Sequence, residues 1–139
     1  MERELDFGIP MLPEQWEELG RTAAALGPAR RGFAWDEGRP GEIRVYLRHE
    51  DAPPGWLNLV TETEAGTYGA HERAVARFFF HDGRPFGRIA LPNWVAEPAY
   101  QPEEAAALWL ELERWVRGKW HELLRAAGVH YERGHIPGE

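Results

Sequence analysis

Two histidine–carboxylate pairs are the first residues whose types and spacing are suited to chemistry. His49 is followed by Asp51, and His81 is followed by Asp82. Imidazole beside a carboxylate is the material of many metal and acid–base sites. In an antiparallel meander, however, the strands that carry these pairs lie two spacings apart, roughly 9.6 Å. Two histidines on one zinc ion each need a nitrogen about 2.1 Å from the metal. Unless the hairpin tips bend together, we therefore expect solvated turns and neither a metal nor a cofactor.

Lys119 is the second candidate, because it is the only lysine and falls within an apolar helical stripe. A buried lysine with a depressed pKa is a reactive group that enzymes use. A lysine whose stem packs while its ammonium group reaches a glutamate at the sheet edge is instead structural. Since lysine is rarely buried without a partner, the sequence favours the second interpretation. Lys119 remains a candidate binding residue for any pocket between sheet and helix.

Aromatic side chains in predicted loops form the third candidate set. Tryptophan and tyrosine often anchor protein–protein contacts, and they also cap hydrophobic cores. The candidate binding residues of this kind are Trp35, Trp56, Tyr68, Trp94 and Tyr100. We expect some of them to contact a partner protein.

Composition excludes several classes of function. The chain contains no cysteine and no serine, so disulfides, thiolate metal sites and serine or cysteine nucleophiles are excluded. It has no phosphate-binding G-x4-G-K-[ST] loop. Its net charge is −7, whereas domains that grip nucleic acid by its phosphates usually carry a basic balance. A non-enzymatic protein without direct nucleic-acid contact is therefore favoured.

A predicted β-hairpin over residues 73–91 organises the elements that would position these residues. Its turn is expected near Asp82, and a related stretch over 44–59 predicts a second hairpin with a turn near 51–55. The shared pattern, H-x3-P-x-G-x-[LI]-x-L, repeats at an offset of 32 residues. Recurring proline and glycine are what hairpin turns require. Both stretches are therefore predicted to be hairpins.

Two amphipathic helices flank the predicted strands. The first begins at Pro13 and ends before Gly27-Pro28, and the second is long and begins at Pro102. In the second helix, Leu112 lies at the centre of the apolar stripe and Leu110 lies on the opposite face. The predicted elements in chain order are a helix over 13–26, strands over 42–49, 56–63, 72–81 and 86–91, and a helix over 102–127.

The predicted fold is a single α+β domain over residues 1–139. A four-stranded antiparallel meander carries the N-terminal helix and the long C-terminal helix packed on it. Residues 28–41 are expected to form a loop, residues 1–12 are a candidate edge strand, and the tail over 129–139 is expected to be flexible.

Three functions remain open on the sequence. The first is a regulatory module that docks on a larger protein assembly, such as the transcription machinery. The second is an enzyme or small-ligand binder with a pocket between sheet and long helix, and the third is a single-stranded nucleic-acid binder on an arginine-rich sheet face. A homodimer is an alternative partner arrangement. Without an apolar run of about 18 residues or a signal-peptide core, we expect a cytoplasmic protein, with a composition typical of thermophiles.

Overall fold

The fold is an antiparallel sheet with helices packed on it. The computed structural model of the chain describes residues 2–39, 41–46, 76–90 and 102–129. The elements in these ranges are β1 (Glu2–Asp6), α1 (Pro13–Leu26), α2 (Pro28–Arg31), β2 (Phe33–Asp36), β3 (Glu42–Val45), β4 (Ala76–His81), β5 (Arg84–Ala90) and α3 (Pro102–Ala126). The α+β class predicted from the sequence is confirmed.

Helix α1 has the predicted bounds because both of its ends carry local signals. Pro13 occupies the first turn, and the Leu12 amide donates to Gln15 Oε1 at 2.9 Å. The helix ends where Gly27 takes φ 75° and its amide donates to the Ala23 carbonyl. A positive φ carries no Cβ penalty in glycine, which explains the stop. The buried residues of α1 share one face: Trp16, Leu19, Gly20 and Ala23.

The hairpin formed by β4 and β5 confirms the predicted turn, although the turn is shorter than expected. Asp82 has φ 51° and Gly83 has φ 73°, and both residues lie between the strands. Aspartate followed by glycine suits the two-residue hairpin turn that needs two positive φ angles. Arg84 and Pro85, which the sequence suggested as part of the turn, belong to β5 and pair with His81 and Phe80.

Within the described ranges the sheet has five strands, so the predicted count of four was wrong. The strand order is β1-β5-β4-β3-β2, with every neighbouring pair antiparallel. The candidate edge strand at the N-terminus is confirmed as β1, which pairs with β5. The predicted strands one and three are direct neighbours rather than two spacings apart, since Ile43 pairs with Phe78. Long-range strand pairing of this kind is not encoded in any local pattern.

The predicted loop over 28–41 was also wrong, because it contains α2 and β2. Gly32, at φ 80°, ends α2, and the chain then pairs with β3 from Phe33 onward. Phe33 and Trp35, which lie within that predicted loop, therefore belong to an edge strand of the described sheet. A strand of four residues is too short to show alternation among the surrounding glycines, prolines and arginines.

The core fills the space between the sheet and the two longer helices. Phe7 stacks on Trp120 with ring centroids 4.4 Å apart, and Phe78 meets both rings edge-on. Glycine at position 87 leaves room for the Phe7 ring, because a Cβ there would lie 2.7 Å from it. In α3, Leu112 is buried and Leu110 is exposed, in agreement with the predicted stripe.

Several predictions fall on residues that the structure does not describe. They are the strand over 56–63, the turn near 51–55 and, apart from Val129, the tail over 129–139. The second copy of the repeated hairpin pattern, residues 81–91, lies within the described residues except for Leu91, and the first copy, residues 49–59, lies outside them.

Candidate binding cleft

An open cleft lies between α1 and the β2–β3 hairpin, and we call it the α1 cleft. Its volume is about 550 Å³. It is lined by Trp16, Glu17, Arg21, Trp35, Glu37, Gly41 and Phe80. Three of these side chains are aromatic and three are charged, so the cleft combines a large contact area with polar groups. This combination is typical of sites that bind other molecules.

Two glycines position the Trp35 side chain in the cleft. A Cβ on Gly20 would lie 2.5 Å from the Trp35 ring, and a Cβ on Gly41 would lie 2.7 Å from its Cη2 atom. Real Cβ contacts essentially never come this close, so only glycine admits the indole at both places. The Trp35 ring thus lies directly on the backbone of α1 and on the turn that follows β2.

Trp16 is the buried wall of the cleft. Its indole Nε1–H donates to the Gly41 carbonyl at 2.9 Å, which satisfies the polar group of a ring that is 5% exposed. Phe80 stacks on it with centroids 5.6 Å apart and planes 19° apart. Trp35 meets Trp16 at 6.2 Å with a tilt of 59°. Three rings from α1, β2 and β4 therefore form one packed aromatic corner.

The charges of the cleft are predominantly negative. Arg21 is engaged by Glu18, whose Oε2 accepts from Nη2 at 2.6 Å and from Nε at 3.1 Å. Glu17 and Glu37 are exposed, and no hydrogen bond or ion pair joins them to any described residue. The rim therefore offers two carboxylates that are not already neutralised.

Of the predicted binding residues that the structure describes, Trp35 lines this cleft and Lys119 does not. Trp56, Tyr68, Trp94 and Tyr100 lie outside the described residues. Neither Trp16 nor Phe80 was singled out as a binding residue on the sequence, where no local pattern connects them with Trp35. The glycine at position 20, on the buried face of α1, is the signal that would have indicated a bulky neighbour there.

Lys119 is buried within the fold and lies away from the α1 cleft. Its side chain packs over the rings of Phe33 and Trp115, 4.9 and 5.6 Å from the centroids. The ammonium group donates to the Arg31 carbonyl at 2.6 Å and to Glu122 Oε2 at 3.4 Å. The predicted contact with a glutamate is thus present. The ammonium group also caps the C-terminal end of α2 by donating to its last carbonyl. In this position Lys119 joins α3 to α2.

Of the two histidine–aspartate pairs, the structure describes His81 and Asp82. His81 Nε2 lies 3.2 Å from Asp82 Oδ2, and both side chains are largely exposed. His49 and Asp51 lie outside the described residues. Within the described ranges no three histidine, aspartate or glutamate side chains are grouped closely enough to hold a metal ion.

The outer face of the sheet, opposite the helices, carries the arginines that suggested a nucleic-acid surface. Arg44, Arg77 and Arg88 lie side by side across β3, β4 and β5, and Arg88 also packs over the Phe79 ring. Four arginines of this face each lie within 4.0 Å of a carboxylate: Arg44–Asp36, Arg77–Glu42, Arg84–Asp6 and Arg88–Glu4. In this set positive and negative charges are equal in number, which does not favour phosphate binding.

Two groups on the outer face have perturbed pKa values. The hydrogen bond from the Gly8 amide and the nearby Arg84 guanidinium lower the pKa of Asp6. Burial raises the pKa of Tyr46, and its hydrogen bond with Arg44 opposes that change. Glu17 and Glu37 at the α1 cleft, which have no partner among the described residues, thus contrast with the paired charges of the outer face.

No protein-family model, curated protein or solved structure matches this chain. Of the helices in the described ranges, none combines the length and apolar character needed to cross a bilayer.

Proposed function

We propose that the protein is a non-enzymatic regulatory module of the cytoplasm that docks on a larger protein assembly through the α1 cleft. The observation that carries the proposal is the aromatic corner of Trp16, Trp35 and Phe80. Tryptophan is enriched among the residues that dominate binding energy at protein interfaces, especially in pockets. Trp35 was a candidate on the sequence, and its place in an accessible cleft supports that role.

The rigidity of the cleft walls supports binding as the role of this site. Gly20 and Gly41 hold the Trp35 ring from two sides, and the Trp16 indole is tied to the backbone. Side chains that are ordered before binding lose less conformational entropy when the partner arrives. The cleft therefore has the preorganisation expected of an interface anchor.

The reactive groups named by the sequence do not lie at this cleft. Lys119 is engaged by a carbonyl and a carboxylate inside the fold, and His81 lies at an exposed hairpin turn. Neither residue lines the α1 cleft. This separation favours binding over catalysis as the function of the cleft.

A small-ligand binder is the second candidate, favoured by the size of the cleft. A volume of about 550 Å³ lies within the range of roughly 300–1,000 Å³ that is common for ligand pockets. The pocket suggested by the sequence lay between the sheet and the long helix. Aromatic rings of Phe7, Phe78 and Trp120 pack together in that interface, so the α1 cleft is the better location for a ligand.

Affinity capture with matched variants tests the proposed docking. The immobilised wild-type protein, Trp35→Ala and Leu110→Ala are compared in extracts of the source cell, after circular dichroism has shown that each variant is folded. Leu110 is the control because it is an exposed apolar residue on α3 that does not line the cleft. We expect one or more proteins to be retained by the wild type and by Leu110→Ala and to be lost with Trp35→Ala.

Retention of the same proteins by all three baits would place the interface elsewhere and refute docking at the cleft. Light scattering measures the molar mass of the purified wild type and of Trp35→Ala. A wild-type dimer that becomes a monomer in Trp35→Ala would identify a second copy of the chain as the partner. If the protein is monomeric and captures no specific protein, docking is refuted and small-ligand binding becomes the favoured function.

A further inference from the structure

We infer that the group bound in the α1 cleft is positively charged, namely an arginine or lysine side chain of the partner protein. This inference rests on the proposed function, because it specifies the chemistry of the docking site. The α1 cleft brings together an aromatic corner and two carboxylates without partners among the described residues. These are the two kinds of group that bind organic cations.

The aromatic rings supply the first attraction. A cation held over the face of an indole is attracted by the ring quadrupole, and tryptophan is the best of the aromatic residues for this contact. The corner contains two tryptophans, with Phe80 completing it. An arginine or lysine side chain also has an apolar stem that buries well against such rings. A ring face therefore suits both the charge and the stem of the same side chain.

The carboxylates supply the second attraction. Glu17 lies on α1 and Glu37 follows β2, so they approach the cleft from two elements. Among the described residues that line the cleft, Arg21 is the one cation, and it is paired with Glu18. Within this described lining, an anionic ligand would meet two carboxylates without a described partner and no free positive charge, whereas a cation would form ion pairs with them. The net charge of −7 also favours the approach of a basic partner.

The protein itself shows the same chemistry at other places. Arg3 packs over the Trp109 ring at 4.5 Å and pairs with Glu113 at 3.3 Å. Lys119 packs over an aromatic ring and pairs with Glu122. In both cases a cation is held between an aromatic face and a carboxylate within the fold. The α1 cleft also combines aromatic rings with carboxylates, and the space between them is open to solvent.

The test is a titration of the purified protein with short peptides, read by the indole N–H signals in proton–nitrogen NMR spectra. The probes are a peptide of alternating glycine and arginine, its lysine counterpart, and a citrulline counterpart that is nearly isosteric but uncharged. We expect the arginine or lysine peptide to shift the Trp35 indole signal and to bind about tenfold more tightly than the citrulline peptide, equivalent to ~1.4 kcal/mol. Added salt should weaken the binding, since screening reduces the attraction.

Two double variants separate the cleft carboxylates from the overall charge. Glu17→Gln with Glu37→Gln removes the two rim charges. Glu14→Gln with Glu111→Gln removes the same number of charges from exposed residues that also lack a partner among those described and do not line the cleft. We expect the first pair to lower affinity for the arginine peptide by at least about fivefold, and the second to change it by less than about twofold.

The outcomes distinguish this inference from the proposed docking. Equal binding of the citrulline peptide, or equal effects of the two double variants, would overturn the inference. One outcome is that captured proteins are lost with the Trp35→Ala bait and retained by the double variant Glu17→Gln with Glu37→Gln. That result would support docking at the cleft and refute recognition of a cation. If tetramethylammonium binds as tightly as the arginine peptide, the assignment to a protein side chain fails and a small organic cation takes its place. Selective peptide binding without any captured protein would uphold the cation site and refute the docking.

Discussion

Replacing Gly20 with alanine is expected to destabilise this protein, although alanine is the better helix former. Gly20 lies inside α1, where helix propensity alone would favour alanine by about 1 kcal/mol. The new methyl group, however, would lie 2.5–2.6 Å from three carbons of the Trp35 ring. That ring also contacts Gly41 and packs on Trp16, so it cannot withdraw without disturbing both. The clash should therefore outweigh the gain in helix propensity.

Gly118→Ala provides a matched control for the magnitude. Gly118 also lies inside a helix, but it is exposed and a Cβ there would have nothing within 4 Å. We expect this variant to be stabilised by about 1 kcal/mol from helix propensity. Forcing an extra methyl group into a packed site costs about 1–3 kcal/mol. Because helix propensity cancels between the two variants, Gly20→Ala should be less stable than Gly118→Ala by that amount.

Urea denaturation followed by far-ultraviolet circular dichroism measures the difference directly. The comparison requires two-state unfolding with similar denaturant dependence in both variants. Tryptophan fluorescence of the folded proteins should also differ for Gly20→Ala, since its clash displaces the Trp35 ring. If Gly20→Ala is as stable as Gly118→Ala and its tryptophan fluorescence is unchanged, the Trp35 indole does not lie on α1.

Three further predictions concern the core, the outer face and the histidines. Leu112→Ala should cost about 2–5 kcal/mol and Leu110→Ala less than about 0.5 kcal/mol, because only the first is buried; equal thermal shifts would contradict the packing of α3. Burial raises the pKa of Tyr46 above its ordinary value of 10.0. The neutral Tyr46 side chain therefore contributes its full stability below pH 10.0, and this contribution is lost as the pH rises through the raised pKa. Absorbance at the tyrosinate band should show a late step that Tyr46→Phe removes. Zinc titration should give weak binding that His49→Ala with His81→Ala leaves unchanged, whereas tight stoichiometric binding abolished by this change would establish a metal site.

Elements with strong local signals were predicted well from the sequence. The bounds of α1 agree with the prediction because Pro13 starts the helix and Gly27 ends it. The β4–β5 hairpin was predicted because Asp82-Gly83 is a favoured hairpin turn. Each of these features depends on a few neighbouring residues, and so it is visible without knowledge of the partners in space.

The candidate site was predictable only in part. Trp35 was predicted as a candidate binding residue because it is a tryptophan in a predicted loop. Trp16, Phe80, Glu17 and Glu37 were not predicted as binding residues, because nothing local connects α1 with the turn after β2. Their proximity follows from tertiary packing, in which the glycine on α1 admits the indole from β2.

By itself, the sequence determined the α+β class, the two longer helices, the central hairpin and the exclusion of serine and cysteine nucleophiles. These properties follow from composition, from the 3.6-residue and two-residue periodicities, and from turn residues, all of which are local. Only the tertiary structure decided that β3 pairs with β4, that β1 and β2 complete a five-stranded sheet, and that three aromatic rings meet at the α1 cleft. Strand pairing and side-chain convergence depend on contacts between residues distant in the chain, because the burial of apolar surface that selects them acts on the whole fold at once.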